Sequence, residues 1–228
     1  MKMKKYRKRK IGNLTAVSLV AVHLSLFTLS CTMENYDSGD GDYSYLRADF
    51  AEAHTNAQGQ IDYAINDDGE TIRFAAPFSV KWTEKTDTFY RALLYYNRLP
   101  DSNKPVTMQR VYVLQPRDIS LVESPSYDPV TFESAWLSRC QLPSSAYYVN
   151  LTFLLKTGQP DNDQAAIQSI GVASETVNDT LRLTLLHGQG NVPQYYSTRV
   201  YASIPVSGSQ AVVLTVNTYD GKVVRQVR

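Results

Sequence analysis

The sequence predicts an all-β protein, an N-terminal OB-like five-stranded barrel followed by a C-terminal antiparallel β-sandwich. Three observations carry this. Short stretches of alternating apolar and polar residues recur from Tyr43 onward, separated by turn residues. Two Asp-Gly pairs, Asp68-Gly69 and Asp220-Gly221, stand between such stretches as hairpin signals. Tyr is abundant, 16 of 228 residues, against 11 Gly and 10 Pro, a balance that suits half-buried pleated surfaces. No stretch of ordinary helical length appears after the N-terminal 30 residues; Asp163 to Val172 is long enough for one turn or two.

The first strand is Tyr45 to Phe50, which alternates. Ile61 to Ala76, IDYAINDDGETIRFAA, is the clearest local signal. A two-residue turn at Asp68-Gly69 sets Ile65 opposite Ile72, Tyr63 opposite Phe74 and Ile61 opposite Ala76 on one face. The other face then holds Asn66 with Thr71 and Ala64 with Arg73. Phe89 to Tyr96 and Thr107 to Gln115 complete five strands, with LPDSNKP as the loop between them. Such a count over about 70 residues fits a small Greek-key barrel.

Gln115 to Pro129 holds three prolines and mixed charge, and the boundary is placed there, giving a barrel over 43–118 and a sandwich over 119–228. Strands resume at Val130 to Leu137. In the next strand Tyr147, Val149, Leu151, Phe153 and Leu155 share one face, with Tyr148, Asn150 and Thr152 on the other. Leu181, Leu183 and Leu185 repeat the pattern, and Tyr195 to Val206 is a further strand. The Asp220-Gly221 hairpin puts Leu214, Val216, Val223 and Val227 on one face, Arg225 among them.

In front of this body stands MKMKKYRKRK, then the apolar run from Ile11, then Ser30-Cys31. A basic start, an apolar middle and a small residue before a cysteine describe an export signal over residues 1–30, cleaved before Cys31. Cys31 is then lipidated and ties the chain to a membrane, which places the protein in the cell envelope as an outer-membrane lipoprotein, periplasmic or surface-exposed. An uncleaved anchor is the alternative, but the polar residues Asn13, Thr15, Ser18, His23, Ser25 and Thr28 interrupt the run. Residues 31–42 are acidic and Gly-containing and read as a flexible tether, either a plain spacer or an export signal in its own right.

Removing the first 30 residues takes away seven basic residues and no acid. That leaves 16 Lys and Arg against 22 Asp and Glu, a net of −6, which argues against nucleic acid as a partner. Of the two cysteines, Cys140 has no partner once Cys31 is lipidated, and it reads as a small core residue or a thiol. His54 and His187 fall in different halves, so no metal site is expected. The hairpin acids lack the spaced ligands of a calcium loop. With no motif that sets a nucleophile beside a base, no catalytic residue and no cofactor are expected. The loop His187 to Tyr196, HGQGNVPQYY, is the candidate ligand loop, with His187, Tyr195 and Tyr196 as its contact residues. Its alternative is a long hairpin connection with tyrosines partly in the core.

Taken together, the lipoprotein signal, the acidic tether, the DDGETIRF hairpin and the YYVNLTFLL strand resemble the NigD-like lipoproteins of Bacteroidetes. The resemblance runs from the signal to the C-terminus. It implies an OB-like domain joined to a β-sandwich and a non-enzymatic binding or accessory role of the bacteriocin-immunity type. It supplies no catalytic residue. Two function classes follow: an envelope lipoprotein that binds a protein partner, and a surface glycan-binding module.

Overall fold

The computed structural model describes residues 45–99, 103–160, 167–208 and 210–227. The export signal, Cys31 and the acidic tether lie outside the described residues.

Five strands form a closed barrel: β1 (Leu46–Thr55), β2 (Ile61–Asn66), β3 (Thr71–Phe78), β4 (Thr88–Arg98) and β5 (Asn103–Arg110). Their order around it is β1-β2-β3-β5-β4, as expected of an OB-like barrel. β1 pairs with β4 along its whole length, Leu46 opposite Asn97 through Thr55 opposite Thr88. Among the described residues β3 meets β5 in parallel at Phe74 and Asn103. Alanines at 51, 53, 64 and 92 make room inside for Ile61, Ile72, Leu94 and Tyr96.

The hairpin register differs by one residue from the expected one. Ala64 stands opposite Ile72 and Ile65 opposite Thr71. The loop has three residues, Asp67-Asp68-Gly69, and only Gly69 takes a positive φ, 83°. A two-residue type I′ turn needs positive φ at both positions; a type I turn closed by a left-handed glycine does not. The added residue follows from Asn66, whose side-chain oxygen accepts from the backbone N–H of Asp68 at 3.2 Å and of Glu70 at 2.8 Å. Ala64, Asn66 and Ile72 therefore face inward and are buried, while Tyr63 and Ile65 are only half-buried. An irregularity between Ile61 and Tyr63 returns Ile61 to the core.

The chain leaves the barrel after Arg110. Tyr112–Val113 (β6) and Pro116–Asp118 (β7), grouped with the barrel on sequence, pair with sandwich strands. Leu114 between them lies in the sandwich core, and its burial draws the segment across.

The sandwich continues with β8 (Thr131–Leu137), β9 (Tyr147–Thr157), β10 (Ser169–Val177), β11 (Thr180–Gly188), β12 (Tyr196–Val206), β13 (Ala211–Thr218) and β14 (Gly221–Gln226). One sheet runs β14-β13-β11-β10-β7 and the other β6-β12-β9-β8. Most pairings are antiparallel; β7–β10, β11–β13 and β6–β12 are parallel. β10 occupies part of the segment allowed a helical turn on sequence, and Asn178-Asp179, with φ of 48° and 59°, turns it into β11. The core is built by Val149, Leu151, Phe153 and Leu155 of β9 against Leu183, Leu185, Val212, Leu214 and Val216 of the facing sheet. The C-terminal hairpin keeps its expected faces, with Leu214 opposite Arg225 and Val216 opposite Val223.

The polar face of β9 is also buried. Tyr148, Asn150 and Thr152 are covered although the alternation marks them as solvent-facing. The barrel covers part of that face, and the covered residues are polar because polar barrel residues meet them.

Candidate functional site

The joint between barrel and sandwich is a polar cluster grouped around Arg91 of β4. Its side chain is 1% exposed and its Nη1 lies 2.7 Å from Asp67 Oδ1. Nη2 donates to Asp67 Oδ2 and to Asn150 Oδ1, both at 2.8 Å, and Nε donates to Ser203 Oγ at 3.0 Å. The guanidinium lies over the Tyr148 ring, 4.4 Å from its centre. Asn150 in turn donates to Asp67 Oδ2 at 2.6 Å. Asp67 is the first residue of the barrel hairpin loop, so the turn clearest in the sequence forms part of the joint.

A second cluster lies beside it. Buried Glu52 of β1 accepts from the Tyr148 hydroxyl at 2.9 Å, from the Ser144 backbone N–H at 2.9 Å and from the Ser144 hydroxyl. Burial, followed by the Glu52 charge, pushes the Tyr148 hydroxyl above the ordinary tyrosine range against the opposing Ser144 hydrogen bond. These groups hold two modules in fixed register. Most of their polar atoms are hydrogen-bonded to one another, and Arg91 Nη1 and Asp67 Oδ1 meet as an ion pair, which suits a structural joint.

Between the modules next to the joint is a crevice of about 220 Å³, with Asp49, Asp67, Asp68, Trp136 and Arg139 among its walls. Burial and the hydrogen bond to Asp49, 2.7 Å long, hold the Tyr96 hydroxyl far above its ordinary range. Cys140 borders the hairpin loop, its Sγ 3.6 Å from the Asp67 carbonyl oxygen. Burial first, then the Asp67 and Asp68 charges, raise its thiol pKa. It is half-buried, so it is neither a full core residue nor an activated thiol.

The candidate ligand loop divides. His187 is buried at the end of β11. Its Nδ1 lies 3.1 Å from the Asp128 carbonyl, which can only accept, so Nδ1 carries the proton; Nε2 then accepts from the Gln168 amide at 3.1 Å. Both ring nitrogens are engaged, and His187 fastens the loop. A groove of about 510 Å³ passes it, walled by Leu114, Val122, Pro125 and Ile170. Tyr195 and Tyr196 are 64% and 58% exposed, so they are surface rings where a partial core role was the alternative. Gly158 lies under the Tyr195 ring, where an added Cβ would stand 2.8 Å from Cδ2. Ile167, 69% exposed, is tied to the same loop by its N–H donating to Asn191 Oδ1 at 2.9 Å. Ile167 was not singled out on sequence; an apolar residue in a polar loop was the available signal.

His54 pairs with Asp62, Nδ1 to Oδ1 at 2.8 Å, and stacks on Tyr63 with ring centres 4.8 Å apart. Among the described residues no group of three His, Cys, Asp or Glu is placed to hold a metal ion, and no helix is long and apolar enough to cross a membrane.

No protein-family model matches this sequence, and no curated protein matches it. Solved structures do match. A NigD-like immunity protein from Bacteroides caccae is similar with a TM-score of 0.59 at 19% identity, covering 78% of this chain and 91% of that one. A toxin-related protein from Parabacteroides distasonis is similar with a TM-score of 0.59 at 18% identity, over 79% of this chain and 91% of that one. A protein of unknown function from Bacteroides vulgatus gives 0.59 at 15% identity, over 79% and 89%. The shared property is the fold, as the NigD-like resemblance implies.

Proposed function

We propose that this chain is an envelope lipoprotein, anchored through Cys31, that acts by binding a protein partner in an accessory role of the immunity type. The observation that carries the reading is the exposure of the adjacent rings Tyr195 and Tyr196, 64% and 58%, at the start of β12. Large amphipathic rings exposed on a firmly hydrogen-bonded strand are the residues that anchor protein interfaces, since they bury much area at small entropic cost. Tyr196 opens β12, which pairs with β9 as far as Val206, and Tyr195 directly precedes it. The fold shared with an immunity protein and a toxin-related protein supports the same class of role. The joint around Arg91 fits this reading too, because a rigid body loses little freedom on binding.

The test is affinity capture with the soluble body, residues 33–228, from its own envelope extract. The expected result is a protein recovered in stoichiometric amount that rebinds after purification. Tyr195→Ala with Tyr196→Ala should lose it while leaving the unfolding midpoint in place. Equal capture by the parent and the double variant would refute the assigned surface. Steady turnover of a peptide or glycan substrate by the purified body, removed by one point mutation, would refute the binding role itself.

A further inference from the structure

The crevice between the modules is independent of the tyrosine surface, and its chemistry is specific. We propose that it is a binding subsite for a single neutral sugar ring. Four features carry this. The first is an aromatic wall. Trp136 is 37% exposed and lines the crevice, while its indole is braced by Phe50 in an edge-to-face contact at 5.1 Å and 88°. A braced, partly exposed indole is a surface on which the C–H face of a sugar ring can lie.

The second feature is a mixed set of polar groups. Asp67 is engaged by Arg91 and Asn150, so the exposed acceptor of the wall is the Asp68 carboxylate. Asp68 is 51% exposed and Arg139 is 81% exposed, and they meet with Nε 3.3 Å from Oδ1. The crevice therefore offers the Asp68 carboxylate of the barrel as an acceptor and the Arg139 guanidinium of the sandwich as a donor. A sugar hydroxyl is donor and acceptor at once, and adjacent hydroxyls suit both kinds of group.

The third feature is charge balance, which decides between a charged and a neutral ligand. Each carboxylate in the wall stands beside its own guanidinium. Asp49 has Arg47 at 3.8 Å, Asp67 has Arg91 at 2.7 Å and Asp68 has Arg139 at 3.3 Å. A cation or an anion would meet nearly balanced charge and would lose hydration for little Coulombic return. A neutral polyhydroxyl ligand keeps its hydrogen bonds and loses no ionic hydration. The fourth feature is size: about 220 Å³ is below the roughly 300–1,000 Å³ of pockets that enclose drug-sized ligands, which limits the occupant to one ring.

The experiment uses the soluble body labelled with 5-fluorotryptophan, read by fluorine NMR. The chain has two tryptophans, Trp82 and Trp136, and Trp136→Phe assigns the signals. The probes are methyl glycosides of glucose, galactose, mannose and N-acetylglucosamine, with glucosamine and glucuronate as charged counterparts. At least one neutral glycoside should shift the Trp136 signal saturably in the millimolar range and leave the Trp82 signal in place. Asp68→Asn lies on an exposed side chain and does not threaten the fold; it should weaken binding roughly tenfold, as loss of a charge-assisted hydrogen bond does. No saturable shift with any neutral glycoside would overturn the proposal. Equal binding by the parent and Asp68→Asn would do so as well, and so would tighter binding of a charged counterpart.

Discussion

Arg91→Ala tests whether the barrel and the sandwich are one body. The side chain is 1% exposed and contacts Asp67 with two nitrogens, Asn150, Ser203 and the Tyr148 ring. Removing it strands the Asp67 carboxylate in a partly buried position, and breaking a buried pair in this way costs about 3–5 kcal/mol. Asp67 keeps the Asn150 amide at 2.6 Å and some solvent, so the expected value lies in the lower half of that range, about 3–4 kcal/mol. With a urea m-value of about 2 kcal/mol/M, the midpoint should fall by about 1.5–2 M. The fluorescence of Trp82 reports the barrel and that of Trp136 the sandwich, each read in the Trp→Phe background of the other. In the parent chain both transitions should coincide. In Arg91→Ala they should separate. Arg91→Lys keeps the charge but not the planar fork, and should recover only part of the loss. In a double-mutant cycle, Arg91→Ala with Asp67→Asn should cost less than the two single changes together. A loss below about 1 kcal/mol for Arg91→Ala would show that the joint does not hold the modules, because a buried pair cannot be broken that cheaply.

Other outcomes follow from the same geometry. Asn66→Ala should cost about 1–3 kcal/mol in chemical denaturation, since it leaves two turn N–H groups unpaired; a neutral result would remove the side chain from its turn role. Gly69→Val should cost about 1–3 kcal/mol, as the residue sits at φ 83° and a Cβ there would meet Cys140 Sγ at 3.3 Å. Cys140 has a raised thiol pKa, so it should alkylate more slowly than free cysteine at the same pH, faster as pH rises, and faster still in Asp68→Asn. A rate equal to that of free cysteine would contradict the burial. The hydroxyls of Tyr95, Tyr96 and Tyr148 are all raised in the folded chain, so their contribution to stability is complete below the ordinary tyrosine value near 10 and is lost as pH climbs through the folded values. The urea midpoint should therefore fall steeply toward about pH 11, and less steeply in Tyr96→Phe. Cys31→Ser should abolish fatty-acid labelling and release the protein from membranes; label retained on the variant would refute the anchor.

The large-scale pattern was legible because alternation and turn residues are local signals. Val149, Leu151, Phe153 and Leu155 face the core as their spacing requires, and Leu183, Leu185, Leu214 and Val216 do the same. The hairpin register was not legible in the same way. Asp-Gly is compatible with two turn types, and the choice between them rests on the Asn66 side chain, whose capture of two N–H groups is a three-dimensional fact. β10 was missed because Ser169 to Val177 mixes small, polar and charged residues with its apolar ones, and its turn, Asn178-Asp179, lacks glycine. The joint was invisible because it joins residues far apart in sequence, such as Arg91 with Ser203, and because Tyr148, Asn150 and Thr152 read as a solvent face until another module covers them. At the candidate ligand loop, composition marked Tyr195, Tyr196 and His187 alike, while depth separates them.

Among the described residues the parallel seam of β3 with β5, at Phe74 and Asn103, is the shortest ladder of the closed barrel. A short parallel ladder is the least reinforced of the barrel's seams, and hydrogen exchange should begin there. A heated molecule would first open at this seam and expose two strand edges, which in most proteins invite other chains to add on. Here both edges carry deterrents. β3 contains Arg73 and Pro77, and β5 contains Lys104 and Pro105. A proline has no N–H to offer an incoming strand, and charge on an edge penalises stacking of copies. Opening at this seam therefore exposes edges that make poor templates for aggregation.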